Sequence, residues 1–157
     1  MQVNRYKVDH EIQNMLLFGQ VLIIVFKESN TLLVKNIITN YDIASIVVEF
    51  DPKFIIHPQT YLNKILIAGP KQVELYNVTS CNKVFSLHSQ PSIEKYFVEA
   101  DLVVLQPSPA VDIITMGLSD GRILLVNLKT AVVVRQFRQS FAPTCLAFST
   151  NITREPL

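Results

Sequence analysis

Glycine is scarce in this chain: four occur in 157 residues, and none falls into a GxGxxG or P-loop pattern. A phosphate cradle built from glycine-rich backbone is therefore excluded. Cysteine is scarcer still. Cys81 and Cys145 lie 145 − 81 = 64 residues apart, with no CxxC and no Cys/His spacing suited to zinc. They read as two reduced, buried thiols of a cytosolic or nuclear protein. The three histidines, His10, His57 and His88, are dispersed, with no Cys, Asp or Glu at a recurring ligand spacing. They read as strand-end or loop residues, and no metal or cofactor is expected. An excess of one charge is missing too, since 14 Lys+Arg stand against 13 Asp+Glu. No long-range positive field steers a polyanion in, which excludes a general nucleic-acid binder but leaves room for local basic patches.

Long apolar runs are also absent. The best membrane candidate, residues 15–26, is interrupted by Gly19 and Gln20. It falls well short of the roughly 20 residues of a spanning helix. It begins after Asp9 and Glu11, too late for an ordinary signal peptide. It reads as a buried pair of strands with a turn at Gly19-Gln20. The sequons Asn77-Val78-Thr79 and Asn151-Ile152-Thr153 point to secretion only behind a signal peptide.

What the chain has is 49% apolar residues, enough for a core. Val, Ile, Leu and Phe come in short runs broken by Gly, Pro, Asn, Asp and Ser, a strand-and-turn texture with weak helical signals. Three runs end alike, in Lys35-Asn36-Ile37, Tyr76-Asn77-Val78 and Val126-Asn127-Leu128. Their asparagines are 77 − 36 = 41 and 127 − 77 = 50 residues apart. A period of about 40–50 residues with several short strands per unit is that of WD40-like β-propeller blades.

The expected fold is all-β: about three and a half such blades in an incomplete ring. Residues 3–10 form the last strand of a preceding blade. Residues 11–50, 51–98 and 99–143 form one blade each, and 144–157 begin a further one. Strands are expected at 12–17, 21–26, 31–37 and 43–50, then at 54–57, 64–68, 73–78 and 83–87. The third set is 102–106, 112–117, 122–128 and 132–138, with a lone strand at 144–149. The polar segment 90–100 reads as an insertion that lengthens the second spacing. Ser119-Asp120-Gly121 is the clearest hairpin turn, because Asp-Gly takes positive φ readily. Runs such as Ile23-Ile24-Val25-Phe26 are apolar on both faces and need cover on both sides, which stacked blades supply. Propellers close with about four to eight blades. The chain is therefore expected to be part of a longer protein or to be completed by partner chains.

The stretch His57-Pro58-Gln59-Thr60-Tyr61-Leu62-Asn63-Lys64-Ile65-Leu66 resembles a segment of the small-subunit processome WD-repeat family. That family comprises tandem-propeller proteins associated with the U3 small nucleolar RNA. Pro109-Ala110-Val111-Asp112, Gly117, Gly121 and Phe137-Arg138-Gln139 also fall where the family has similar residues. The likeness runs from about His10 to Ser149. The chain departs from the WD40 pattern in having Lys35, Tyr76 or Val126 for the third-strand tryptophan, no Trp-Asp pair and no Gly-His pair. Those departures remove the residues of the usual Asp–His networks. The resemblance implies a non-catalytic scaffold in nucleolar small-subunit ribosome biogenesis. It also implies partners among other propeller proteins of a pre-ribosomal subcomplex, with contact to pre-rRNA or small nucleolar RNA. No membrane or small-molecule substrate is implied.

Two clusters are singled out. His57, Tyr61 and Lys64 are the candidate partner contact; the structural alternative is a packed loop with Pro58 ending a strand and Tyr61 buried. Lys129, Arg135 and Arg138 are the candidate RNA or phosphate contact, against the alternative of solvated surface charge. Arg135 and Arg138, three apart on one strand, point to opposite faces unless the strand bulges. Phe137 and Phe141 flank Arg138 and either stack on bases or, the expected outcome, are buried. Ser119 has no His or Lys nearby in sequence to activate it as a nucleophile, so its segment reads as a turn. The rival readings are a propeller scaffold of another assembly, such as vesicle traffic, and a small β-barrel or sandwich that binds an apolar ligand or carries an enzyme.

Overall fold

Turn chemistry sets the strand lengths. In a computed structural model that describes residues 5–149, Gly19 takes φ +55° between β1 (Ile12–Phe18) and β2 (Val21–Phe26). Strands β3 (Thr31–Asn36) and β4 (Asp42–Val47) complete that sheet in the order β1-β2-β3-β4. The second sheet repeats the meander with β5 (Phe54–Ile56), β6 (Lys64–Ala68), β7 (Val73–Asn77) and β8 (Lys83–Ser86). The third has β9 (Leu102–Pro107), β10 (Ile113–Leu118), β11 (Arg122–Asn127) and β12 (Val132–Arg138). Gly121, at φ +88°, closes the β10–β11 hairpin at the Asp-Gly turn. All neighbouring strands pair antiparallel.

The asparagine repeat has a physical basis. The Asn36 Oδ1 accepts the N–H groups of Ile38 and Thr39 at 2.8 and 3.0 Å. Asn77 does the same for Thr79 and Ser80, and Asn127 for Lys129 and Thr130. The fourth residue on, Asn40, Cys81 or Ala131, takes φ between +53° and +60°. Each asparagine thus caps the turn from third to fourth strand. The apolar residue after it ties that turn to the connection between first and second strands: Ile37 N–H to Gln20 O, Val78 to Asn63 O and Leu128 to Asp112 O, at 2.7–3.0 Å.

The sheets stack as blades. Alternate residues of one strand serve opposite interfaces, as the period of two requires. Ile65 and Ile67 of β6 pack with Ile23, Val25, Leu32, Val34 and Ile46 of the first sheet. Leu66 and Ala68 pack with Ile114, Met116, Leu124 and Val126 of the third. The middle sheet is therefore covered on both sides. The Glu74 carboxylate of β7 is buried and accepts from Tyr76 Oη (2.8 Å), Lys83 Nζ and Ser86 Oγ (both 3.1 Å).

The segment expected as a polar insertion forms α1 (Glu94–Glu99) and closes over the second core. Ile93, Tyr96, Phe97 and Ala100 are buried at the i, i+3, i+4, i+7 spacing of a helix face. Arg122 pins α1 to the third sheet. Its Nη1 lies 2.7 Å from Glu99 Oε2, its Nε 2.6 Å from Asp120 Oδ2, and its guanidinium 5.1 Å from the Tyr96 ring centroid.

Four expectations differ from the structure. Residues 144–149 hold no strand, because no neighbour among the described residues offers them a ladder. The described part of 3–10, residues 5–10, is likewise strandless; Tyr6 Oη instead donates to the Ile37 carbonyl at 2.7 Å. Residues 1–4 and 150–157 lie outside the described residues. Cys145 is exposed rather than buried, since its segment runs over the surface after β12, while Cys81 is half-buried. Phe137 and Phe141 are 50% and 83% exposed rather than buried. Phe137 stands on the outer face of the third sheet, opposite Ile123. Among the described residues, no helix is long and apolar enough to cross a membrane.

Candidate functional site

The connection from β5 to β6 touches both neighbouring sheets. Pro58 follows His57, and the Tyr61 N–H returns to the Pro58 carbonyl at 3.0 Å, turning the chain. The His57 ring stacks on Phe18 of the first sheet, centroids 4.4 Å apart and planes within 3°. Its Nε2 lies 2.6 Å from the Tyr61 carbonyl, which fixes that nitrogen as the donor. On the other side Thr60 Oγ1 donates to Asp112 Oδ1 of the third sheet's β9–β10 connection at 3.0 Å. The Tyr61 phenol is held above its ordinary pKa, first by burial and then by the charge and hydrogen bond of Asp112. Lys64 Nζ sits 5.1 Å from the Tyr61 ring centroid, within cation–π range.

The structure thus brings His57, Tyr61 and Lys64 into one cluster. It does not gather the basic trio. Lys129 lies in the β11–β12 turn, next to Leu128, whose N–H binds the Asp112 carbonyl. Arg135 stands in mid-strand across from Leu125 and Arg138 across from Arg122, so the two point to opposite faces of the sheet. Arg138 ends the seven-residue β12, about 20 Å along the strand from its start at roughly 3.3 Å per residue. Lys129 is thus linked to the β5–β6 connection through Leu128, Asp112 and Thr60, and the two arginines are not.

Phe18, Thr60 and Asp112 complete the cluster and were not singled out from the sequence. Their partners lie 57 − 18 = 39 and 112 − 60 = 52 residues away, so no local spacing marks them. The recurring x-Asn-aliphatic unit was the signal available, because its apolar residue binds the carbonyl of Asp112. Ser119 Oγ accepts the Asp101 N–H and Asp120 pairs with Arg122, so both serve the turn. At the β2–β3 turn, an open hollow of about 460 Å³ is lined by Glu28, Ser29, Asn30 and Asp51. Among the described residues no group of three or more His, Cys, Asp or Glu is placed to hold a metal.

The model of the WDR36/Utp21 first β-propeller family matches residues 2–156. Human WD repeat-containing protein 36 is 36% identical over 99 residues, which is 62% of this chain and 10% of that protein. The U3 small nucleolar RNA-associated protein 21 homolog of Schizosaccharomyces pombe is 28% identical over 116 residues, 73% of this chain and 11% of that protein. The chain spans about a tenth of the length of these curated relatives. Among solved structures, the computationally designed Ika4 protein superposes with a TM-score of 0.69 at 15% identity, covering 92% of this chain and 84% of that one. The Cps50 (Swd1) β-propeller domain of Myceliophteria thermophila gives 0.66 at 13% identity, covering 79% and 40%. At such identities the likeness carries the fold alone: an open arc of about three propeller blades.

Proposed function

This chain belongs to the WDR36/Utp21 first β-propeller family, and from that premise we propose that it is a non-catalytic scaffold of small-subunit ribosome assembly, working in the nucleolus beside the U3 small nucleolar RNP. The observation that carries the reading is the family match, which spans 156 − 2 + 1 = 155 of 157 residues. A relative named for its association with the U3 small nucleolar RNA supports it. The mechanism is geometric. Stacked blades hold loops from different sheets at fixed spacing, and partners read the loops. Its partners are other propeller proteins of a pre-ribosomal subcomplex, and through them pre-rRNA or small nucleolar RNA.

The test is affinity purification of the tagged chain from its own cells, with RNA and protein read together. U3-type small nucleolar RNA and pre-ribosomal proteins are the expected yield. Recovery of coat or membrane-traffic proteins in their place would sink the reading.

A further inference from the structure

We propose that the loop end around Leu62 and Val111 docks a short peptide segment of a partner protein, apolar at its centre and acidic at its flanks. The proposal rests on the scaffold reading above and names the chemistry of one partner. Asp112 organises the surface. Its carboxylate accepts the Thr60 hydroxyl at 3.0 Å and its carbonyl accepts the Leu128 N–H at 2.7 Å. Those two bonds bring together the β5–β6 loop, the β9–β10 loop and the β11–β12 turn. Each contributes a side chain next door: Leu62 beside Tyr61, Val111 beside Asp112, and Lys129 beside Leu128.

Leu62 is 95% exposed and Val111 70%. A single exposed aliphatic residue is ordinary, but these two recur at one structural position. Leu62 precedes Asn63, whose carbonyl accepts the Val78 N–H, and Val111 precedes Asp112, whose carbonyl accepts the Leu128 N–H. Adjacent blades thus present an aliphatic side chain at the same point, on backbone already pinned by hydrogen bonds. Binding there freezes little, which favours affinity.

Charge fixes the flanks. Lys64 follows Leu62 by two residues and Lys129 follows Leu128; neither has a carboxylate within ion-pair distance among the described residues, whereas Lys35 pairs with Asp42 and Lys83 with Glu74. Asp112 keeps its negative charge while it accepts from Thr60, but two ammonium groups against one carboxylate leave this end net positive. The same features favour protein over RNA. Leu62 and Val111 offer no flat surface to a base, and the Tyr61 ring already has the Lys64 ammonium over it.

The test selects binders from a random-peptide display library against the purified chain. Enriched sequences are expected to pair apolar residues with net acidic flanks. Binding of one synthesised enriched peptide is expected to fall about tenfold or more in Leu62→Asp and in Val111→Asp. In Lys64→Gln and Lys129→Gln it loses part of its salt dependence. Val134→Asp, on exposed β12, leaves it unchanged. Leu62→Ser replaces Leu62→Asp if the latter shifts the melting temperature. Absence of binders, a consensus without acidic residues, binding indifferent to Leu62 and Val111, or displacement of the peptide by single-stranded oligouridylate each overturns the proposal. The assay contains only chain and peptide. Failure here with U3 RNA still recovered from cells sinks the site alone, and the reverse outcome sinks the function alone.

Discussion

Asn127 shows what one residue does in this fold. Its Oδ1 holds the N–H groups of Lys129 and Thr130 at 2.9 and 3.0 Å, and Ala131 behind them sits at φ +53°. A left-handed alanine is unfavourable, so the turn depends on the asparagine to offset it. Asn127→Ala is expected to lower stability by about 1 kcal/mol, the usual cost of losing such a side-chain cap. Asn127→Asp keeps an acceptor at the same place and is expected to retain most of that stability. Urea denaturation of the three proteins measures both. Equal losses in the two variants would show that the cap is not what holds the turn.

At the scale of elements, β7 carries a charge where its neighbours carry aliphatics. Tyr76 donates to the buried Glu74 at 2.8 Å. Burial, then the hydrogen bond and charge of Glu74, then Glu49, hold the Tyr76 phenol well above the ordinary range. The folded-state pKa is raised, so the stability it contributes is fully present below the unfolded value of about 10. That stability is lost as pH rises toward the folded value. Unfolding free energy is expected to decline above about pH 10, and Tyr61, shifted the same way, adds to the decline. Tyr76→Phe is expected to flatten this alkaline limb. At neutral pH it costs about 1.5–3 kcal/mol for the lost charged hydrogen bond. Denaturation curves across the alkaline range decide; an unchanged limb would remove Tyr76 as its cause.

The twelve strands of the described residues lie close to where turn residues and apolar runs put them, because most turns carry their own signal: Gly19 and Gly121 at positive φ, and Asn36, Asn77 and Asn127 as caps. Helix α1 went unread for a physical reason: with six residues it is too short to be stable on its own. The apolar spacing of Ile93, Tyr96, Phe97 and Ala100 was visible, and it is tertiary burial against the second core that makes it a helix. The site divides in the same way. His57, Tyr61 and Lys64 fall within eight consecutive residues and could be read together. Phe18 and Asp112 join them only through contacts between sheets, for which the x-Asn-aliphatic unit is the one sequence signal.

For the molecule as a whole, the middle sheet packs against both of the others and each outer sheet against the middle one. On the first sheet Ala44 and Ile46 point into the core, so Ile43 and Val47 point away, with Met15 and Leu17 of β1 on the same outer face. These four side chains are 49–63% exposed. On the third sheet Pro143 seats against Gly117, where a Cβ would come within 2.5 Å of the proline Cγ. The first sheet is therefore the end expected to drive self-association through apolar contact. Sedimentation velocity of the chain is expected to show an average coefficient that rises with concentration. The double substitution Leu17→Lys, Val47→Lys is expected to abolish the rise, since two lysines on one flat face repel a facing copy and resist burial. Phe137→Lys, on the partly covered end, is expected to reduce it less. If Phe137→Lys were the more effective, the third sheet rather than the first would be the sticky end of the arc.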